Sequence, residues 1–174
     1  MRISVFLGIL LSCFAALSVS ALGQKTKRPV PRPTPTPART FVSADERVAK
    51  QTASNQLSNV SVYLNKFTPL VQTMNDLAKD DKAHKLSKRA STDFNNAKRN
   101  LLIQLSDFKL GLTTLETDFK TKPALTKYLL KIQGITDLSV SAQDSANLGR
   151  FDGVRESLKG IVQRLSDTVA AMPS

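Results

Sequence analysis

The fold is decided by residues 90–119, which read ASTDFNNAKRNLLIQLSDFKLGLTTLETDF. Apolar residues recur along this stretch in steps of three and four, so they form one stripe on one side of a helix. A helix of this length measures about 45 Å at 1.5 Å per residue. It cannot bury such a stripe alone, so other helices must pack against it. The stripe consists of Ala90, Phe94, Ala97, Leu101, Leu105, Phe108, Leu112, Leu115 and Phe119.

A second long stripe precedes this one, in a helix predicted over residues 43–79. Ser43 and Glu46 form a capping box at its start. The four-three alternation of its apolar residues is close to the heptad seam of a coiled coil. Pro69 lies within the stripe, and because the apolar rhythm continues in phase across it, we predict a kink rather than two helices. The stripe consists of Ala49, Ala53, Leu57, Val60, Leu64, Phe67, Val71, Met74 and Ala78.

Two further helices follow residue 119. Pro123 suits the first turn of the third helix, and Gly149 is a typical stop before the fourth. Small residues fill the second half of the third helix, so a neighbour should approach closely there. The sequence therefore predicts an all-α protein, with an antiparallel up-down four-helix bundle over residues 43–172. The predicted helices span residues 43–79, 84–119, 122–148 and 151–171.

Residues 1–23 are typical of a secretory signal peptide. Met1 and Arg2 make a short positive start, an apolar run follows, and small residues predict cleavage near Ala21 or Gly23. A retained membrane anchor is the alternative, but the apolar run is short for a helix that spans a bilayer. We therefore expect an exported protein, secreted or periplasmic, with no transmembrane span in the mature chain.

Cys13 is the only cysteine, and it has two interpretations. Leu10-Leu11-Ser12-Cys13 is similar to a lipoprotein box, which would make Cys13 a lipidated N-terminus. However, Cys13 lies inside the apolar run, whereas a lipidated cysteine normally follows such a run. We favour its removal with the signal peptide, which leaves a mature chain without disulfides or thiolate chemistry.

Residues 24–42 are predicted to form a basic, proline-rich and disordered linker. Alternating prolines fix φ and remove backbone donors, so the stretch should be extended polyproline II or disordered. We interpret it as a solvated spacer. The alternative is an electrostatic tether to anionic lipid, polysaccharide or nucleic acid. Its prolines and cations are Pro29, Pro31, Pro33, Pro35, Pro37, Lys25, Lys27, Arg28, Arg32 and Arg39.

The sequence lacks the groups that nucleophilic catalysis requires. The only histidine, His84, lies in a highly charged stretch where a turn is predicted, so we interpret it as a solvated turn residue. Glu46, Glu116 and Glu156 are the only glutamates, and we place each at the surface of the predicted bundle. We therefore predict that the protein is not an enzyme.

One combination of residues could hold a metal. Asp80, Asp81 and His84 have the helical spacing that would bring three ligands to a divalent ion. Three ligands in a charged turn make a weak site. The Glu-x-x-His pairs and Cys-x-x-Cys-His motif by which bundles hold metals and haem are missing from the sequence. We therefore predict neither a metal nor a cofactor.

Positive charge is the strongest indication of a partner, because the formal net charge is +11. In an antiparallel bundle, the turn between helices one and two lies at the same end as the turn between helices three and four. Basic residues from both turns would then form a candidate polyanion-binding patch. Stacking aromatics are lacking there apart from Phe151, which argues against nucleic acid. The candidate patch consists of Lys79, Lys82, Lys85, Lys88, Arg89, Arg150 and Arg155.

Two hypotheses of function remain. The first is an exported, non-enzymatic helical bundle that binds a protein or an anionic envelope polymer or lipid. The second is a bundle that binds a small apolar ligand in an interhelical cavity, either near Pro69 or beside the small-residue half of the third helix.

Overall fold

The computed structural model describes residues 42–173, and this part of the chain is helical and contains no β-strand. The predicted signal peptide, Cys13 and the linker up to residue 41 lie outside the described residues. Four helices follow one another along the chain, as the apolar stripes predict, and two of them are interrupted. The segments are α1 (Ala44–Phe67), α2 (Val71–Lys82), α3 (Lys88–Thr121), α4 (Leu129–Ile132), α5 (Ile135–Asn147) and α6 (Phe151–Ala171), with 3₁₀ turns at Thr68–Leu70 and Thr126–Tyr128.

The first helix begins as predicted, with a capping box. The Ser43 hydroxyl accepts a hydrogen bond from the Glu46 amide at 3.1 Å, and the Glu46 carboxylate accepts one from the Ser43 amide at 2.8 Å. The interruption at Pro69 is a single 3₁₀ turn, because proline cannot donate the next helical hydrogen bond. The backbone keeps right-handed helical dihedral angles on both sides, so α1 leads directly into α2.

The turn between α2 and α3 differs from the prediction at both ends. The first helix runs to Lys82 rather than to residue 79, and α3 begins at Lys88 rather than at residue 84. His84 adopts a positive φ of 53° after α2 has ended. Ser87 then caps α3, because its hydroxyl accepts a hydrogen bond from the Ala90 amide at 3.2 Å.

The prediction of one continuous third helix over residues 122–148 was wrong. Residues 122–128 form a turn and a 3₁₀ segment, and α4 ends at Ile132. Gly134 has φ +85°, which is the left-handed conformation that glycine adopts without steric cost. The apolar rhythm passes through the break without changing phase, since Ile132 and Ile135 are both fully buried. Periodicity therefore could not reveal it.

The predicted stripes form the core. Leu105, Leu112, Leu115 and Phe119 of α3 are almost completely buried. Ala97 is the exception in that stripe, because it is exposed to solvent. The stripe of the first helix is buried or half-buried at every position. The last two helices each contribute fully buried apolar residues, such as Ile132 and Ile161.

The seams between helices are not equally closed. A Cβ atom at Gly153 of α6 would lie 2.7 Å from the Ser145 hydroxyl of α5, and one at Gly160 would lie 3.2 Å from Leu138. These two glycines therefore let α6 and α5 approach closely along the small-residue half of α5, as the sequence predicts. The seam of α1 and α2 with α3 is less closed, and the exposed Ala97 lies along it. Within residues 42–173, no helix has both the length and the apolar character needed to cross a bilayer.

Replacing Leu105 by alanine tests the core assignment. Leu105 is 1% exposed, so Leu105→Ala should lower the free energy of unfolding by about 2–5 kcal/mol. Urea denaturation followed by circular dichroism measures this loss. Leu110→Ala on the same helix is the matched control. Because Leu110 is 72% exposed, its change should stay within about 0.5 kcal/mol. Equal losses for the two variants would contradict the assignment.

Candidate functional site

A polar groove lies where the end of α2 meets the junction of α5 and α6. Its volume is about 630 Å³, and it is open to solvent. Lys79 and Lys82 line it from α2, and Arg150 lines it from the junction. Arg150 is about 70 positions from the two lysines in the sequence, so the fold itself brings the three cations together. We refer to the space that they line as the basic groove.

The seven residues of the predicted patch do not behave alike. Only Lys79, Lys82 and Arg150 line the basic groove. Arg155 is half-buried and forms ion pairs with Asp152 at 3.0 Å and Glu156 at 3.1 Å, so its charge is compensated. The other three are exposed in the α2–α3 turn and the start of α3, and within residues 42–173 none of them forms an ion pair. They are Lys85, Lys88 and Arg89.

Lys82 also has a structural role. Its ammonium group donates a hydrogen bond to the Leu148 carbonyl at 3.3 Å, and the ammonium group of Lys98 donates one to the Asn147 carbonyl at 2.7 Å. Carbonyls at the end of a helix lack partners within that helix, so both lysines stabilise the C-terminal end of α5. Sequence reasoning missed Lys98, because nothing local relates α3 to the end of α5.

Asn75 joins α2 to the start of α6. Its side-chain oxygen accepts a hydrogen bond from the Phe151 amide at 3.1 Å, and its amide group donates one to Asp152 at 2.7 Å. Arg150, which precedes α6, provides no side-chain cap for it. Asn75 therefore caps this helix from another part of the chain.

The basic groove carries a net positive charge. Asp152 is the one carboxylate that lines it among the described residues, and it is held by Arg155 and Asn75. Lys79 has only a long, exposed pair with Asp76 at 3.7 Å. Pairs of this kind contribute little and leave the ammonium group available to a ligand. The groove thus offers cations together with amide and hydroxyl groups to an anion.

Two of the three glutamates are buried, so their predicted surface positions were wrong. Glu46 is 5% exposed. Its carboxylate accepts hydrogen bonds from the Lys127 ammonium group at 2.7 Å and from the Tyr128 hydroxyl at 3.0 Å. The bond from Lys127, followed by that from the Ser43 amide, lowers the pKa of Glu46 to about 2. Glu46 therefore ties the 3₁₀ segment before α4 to the start of α1.

Glu116 of α3 caps the start of α5, as Asn75 caps the start of α6. Its carboxylate accepts hydrogen bonds from the amides of Gly134 and Thr136, both at 3.1 Å. It also forms an ion pair with the Lys120 ammonium group at 2.9 Å. Burial by itself would raise the pKa of Glu116, but the bonds from Thr136, Gly134 and Lys120 outweigh it and lower the pKa to about 2. All of these donors stabilise the charged form, which indicates a structural role for this carboxylate.

Metal-binding groups are not assembled in the part of the chain that the structure describes. No three His, Cys, Asp or Glu side chains between residues 42 and 173 form a cluster that could hold an ion. His84 is exposed in its turn, and Asp81 accepts a hydrogen bond from the Ser91 hydroxyl at 2.8 Å.

A second, apolar space lies beside the Pro69 turn, where the sequence predicts a gap. Its volume is about 290 Å³, and it lies between α1–α2 and α3. Tyr63, Phe67 and Leu70 line it from one side, and Leu101 lines it from α3. The other gap that we considered, beside the small-residue half of α5, is closed by α6.

Comparison of the chain with protein-family models, with curated proteins and with solved structures gave no match.

The buried carboxylates of Glu46 and Glu116 should make the protein less stable in acid. Both have a pKa of about 2 in the folded protein against 4.5 ordinarily, so they stabilise the fold fully above pH 4.5. The free energy of unfolding should decrease as the pH falls from 4.5 towards 2. In the double variant Glu46→Gln, Glu116→Gln this decrease should be smaller, which urea titrations at several pH values measure. Asp93→Asn, at an exposed carboxylate, should keep the decrease of the parent protein. A double variant with an unchanged pH profile would refute the assignment.

Removing the cap of α6 gives a separate test. Asn75→Ala leaves the Phe151 amide without its side-chain acceptor, so it should cost about 0.5–2 kcal/mol of stability. Thermal and urea denaturation measure the loss. Asn96→Ala, at an exposed position of α3, should change the free energy of unfolding by less than about 0.5 kcal/mol. No loss at Asn75 would show that the cap is dispensable.

Proposed function

We propose that this protein is an exported, non-enzymatic helical bundle that binds an anionic partner through the basic groove. The partner is a protein or an anionic envelope polymer or lipid. The observation that carries the proposal is the convergence of Lys79, Lys82 and Arg150 on one groove whose single carboxylate is already paired. An anion in this groove would meet uncompensated positive charge and several polar donors.

The distribution of charge supports an anionic partner. Six of the 25 basic residues and none of the 14 acidic ones lie in residues 1–41, so residues 42–174 carry a net charge of +5. Both parts of the chain are therefore basic. The exposed cations of the α2–α3 turn add positive charge to the same part of the sequence as Lys79 and Lys82.

The antiparallel up-down topology is part of this proposal, and four contacts support it. Near the first residues of α1, Lys50 donates a hydrogen bond to the Met172 carbonyl at 3.1 Å, and Asn75 of α2 bonds to Phe151. Lys98 of α3 bonds to the end of α5. Further along α3, Glu116 bonds to the start of α5. In the pair of the first and last helices, and in the pair of α3 and α5, the start of one helix thus lies beside the end of the other.

Export is proposed from the sequence of residues 1–23 alone. An exported bundle that acts by association requires no catalytic group, in keeping with the lack of a nucleophile–base pair in the sequence. Aromatic side chains for stacking bases do not line the basic groove, which favours other polyanions over nucleic acid. Cleavage before residue 24 would leave the basic linker as the start of the mature protein.

Retention on immobilised heparin and on anionic vesicles tests the basic groove. The double variant Lys79→Glu, Arg150→Glu reverses two cations of the basic groove and spares Lys82, which stabilises α5. It should elute at clearly lower salt than the parent chain from residue 24 onward, because fewer cations contact the polyanion. Gradient elution and vesicle sedimentation measure the change.

A charge-matched control separates the groove from net charge. The double variant Arg47→Glu, Lys131→Glu makes the same change in net charge at exposed positions outside the basic groove. It should be retained more strongly than the groove variant, because the two proteins have the same linker and the same net charge and differ only in whether the groove keeps its cations. Equal elution of the two double variants would show that the groove is not the binding site.

A further inference from the structure

The apolar space beside Pro69 adjoins a second space whose lining includes both polar and apolar side chains. Tyr63 and Gln104 line both, so the two spaces are neighbours between α1–α2 and α3. The second space, which we call the polar section, has a volume of about 390 Å³ and is bordered by Asn59 and Lys66 of α1. We refer to the two sections together as the amphipathic trough.

The apolar section has a buried floor and exposed sides. Phe67 and Leu101 are 5% and 4% exposed, whereas Leu70 is 54% exposed and Ala97 is also exposed. Its volume of about 290 Å³ is near the lower end of the range for small-molecule sites, which are mainly apolar with a few polar groups.

The polar section contains a single charge. Lys66 is exposed, and within residues 42–173 it forms no ion pair. Neither section of the trough is lined by an aspartate or a glutamate. Tyr63 stacks on Phe67 and meets Phe108 edge to face, with ring centroids 6.1 and 5.3 Å apart. The Tyr63 hydroxyl is a hydrogen-bond donor at neutral pH, and burial moves its pKa further above that range.

From this arrangement we propose that the amphipathic trough binds a single-chain fatty acid, with the carboxylate at Lys66 and the tail along Phe67, Leu70 and Leu101. Positions 66 and 74 are separated by about 12 Å along the helix axis at 1.5 Å per residue, so the apolar section has the length for an extended tail. An anionic head complements the lone cation. The inference does not depend on the proposed function, because the trough shares no residue with the basic groove.

Calorimetric titration with sodium laurate, below its critical micelle concentration, tests this inference on the chain from residue 24 onward. One laurate should bind per chain. Dodecyltrimethylammonium, which has a tail one carbon longer and the opposite head charge, should bind at least about fivefold more weakly. A lack of binding, or equal affinities for the two amphiphiles, would overturn the proposal.

Two variants locate the head and the tail. Lys66→Glu should weaken laurate binding by about five- to tenfold, because an attraction is replaced by a repulsion. Ala97→Phe should weaken binding of both amphiphiles by about tenfold or more, since the ring fills the apolar section from an exposed position and leaves the core unchanged. Lys131→Glu and Ala170→Phe make the same substitutions at exposed positions outside the trough, and both should bind laurate like the parent protein.

The controls make a failure informative. Circular dichroism melts should show that Ala97→Phe remains folded. If a folded Ala97→Phe variant binds laurate with unchanged affinity, the trough is not the site. Heparin retention should be unchanged in this variant, so the trough and the basic groove can fail independently.

Discussion

The ends of the helices in this protein are held by side chains from other helices, and the rest of the structure depends on these contacts. Glu116 of α3 caps the start of α5, and Asn75 of α2 caps the start of α6. Lys82 and Lys98 satisfy carbonyls at the end of α5. Helix ends leave backbone N–H and C=O groups without partners in the helix, and burying such groups unpaired destabilises the folded protein. Tertiary caps therefore fix the helices relative to one another as well as stabilising each one.

The basic groove is a consequence of this arrangement. Asn75 holds the start of α6 against α2, and Lys82 holds the end of α5 against the same helix, so Arg150 is brought to Lys79. The contacts that orient the groove also neutralise its one carboxylate. The groove keeps a net positive charge because its aspartate, Asp152, is bonded to Arg155 and Asn75, whereas Lys79 and Arg150 have no close carboxylate among the described residues of the groove. The contacts between helices thus determine both the shape of the groove and its charge.

The amphipathic trough arises from a different constraint. Glycines at positions 153 and 160 let α6 close against α5, whereas large aromatic side chains such as Tyr63, Phe67 and Phe108 lie between α1 and α3 and leave open space beside them. The 3₁₀ turn at Pro69 places Leu70 in an exposed position beside that seam. One seam is therefore tightly filled, and the other keeps an open apolar section.

The sequence alone determined the four helices, their buried stripes, the cap at Ser43 and the stop at Gly149, because these features depend on residues a few positions apart. It did not determine the break at Gly134, since the apolar rhythm is unchanged there. Nor did it indicate that Glu46 and Glu116 are buried, because the Tyr128 hydroxyl and the Gly134 amide that bond to them lie 82 and 18 residues away. Of the predicted patch, local sequence identified the cations, but only the tertiary structure decided that Lys79, Lys82 and Arg150 share a groove while Arg155 is paired. Charge compensation depends on distances between helices, and those distances are set by packing.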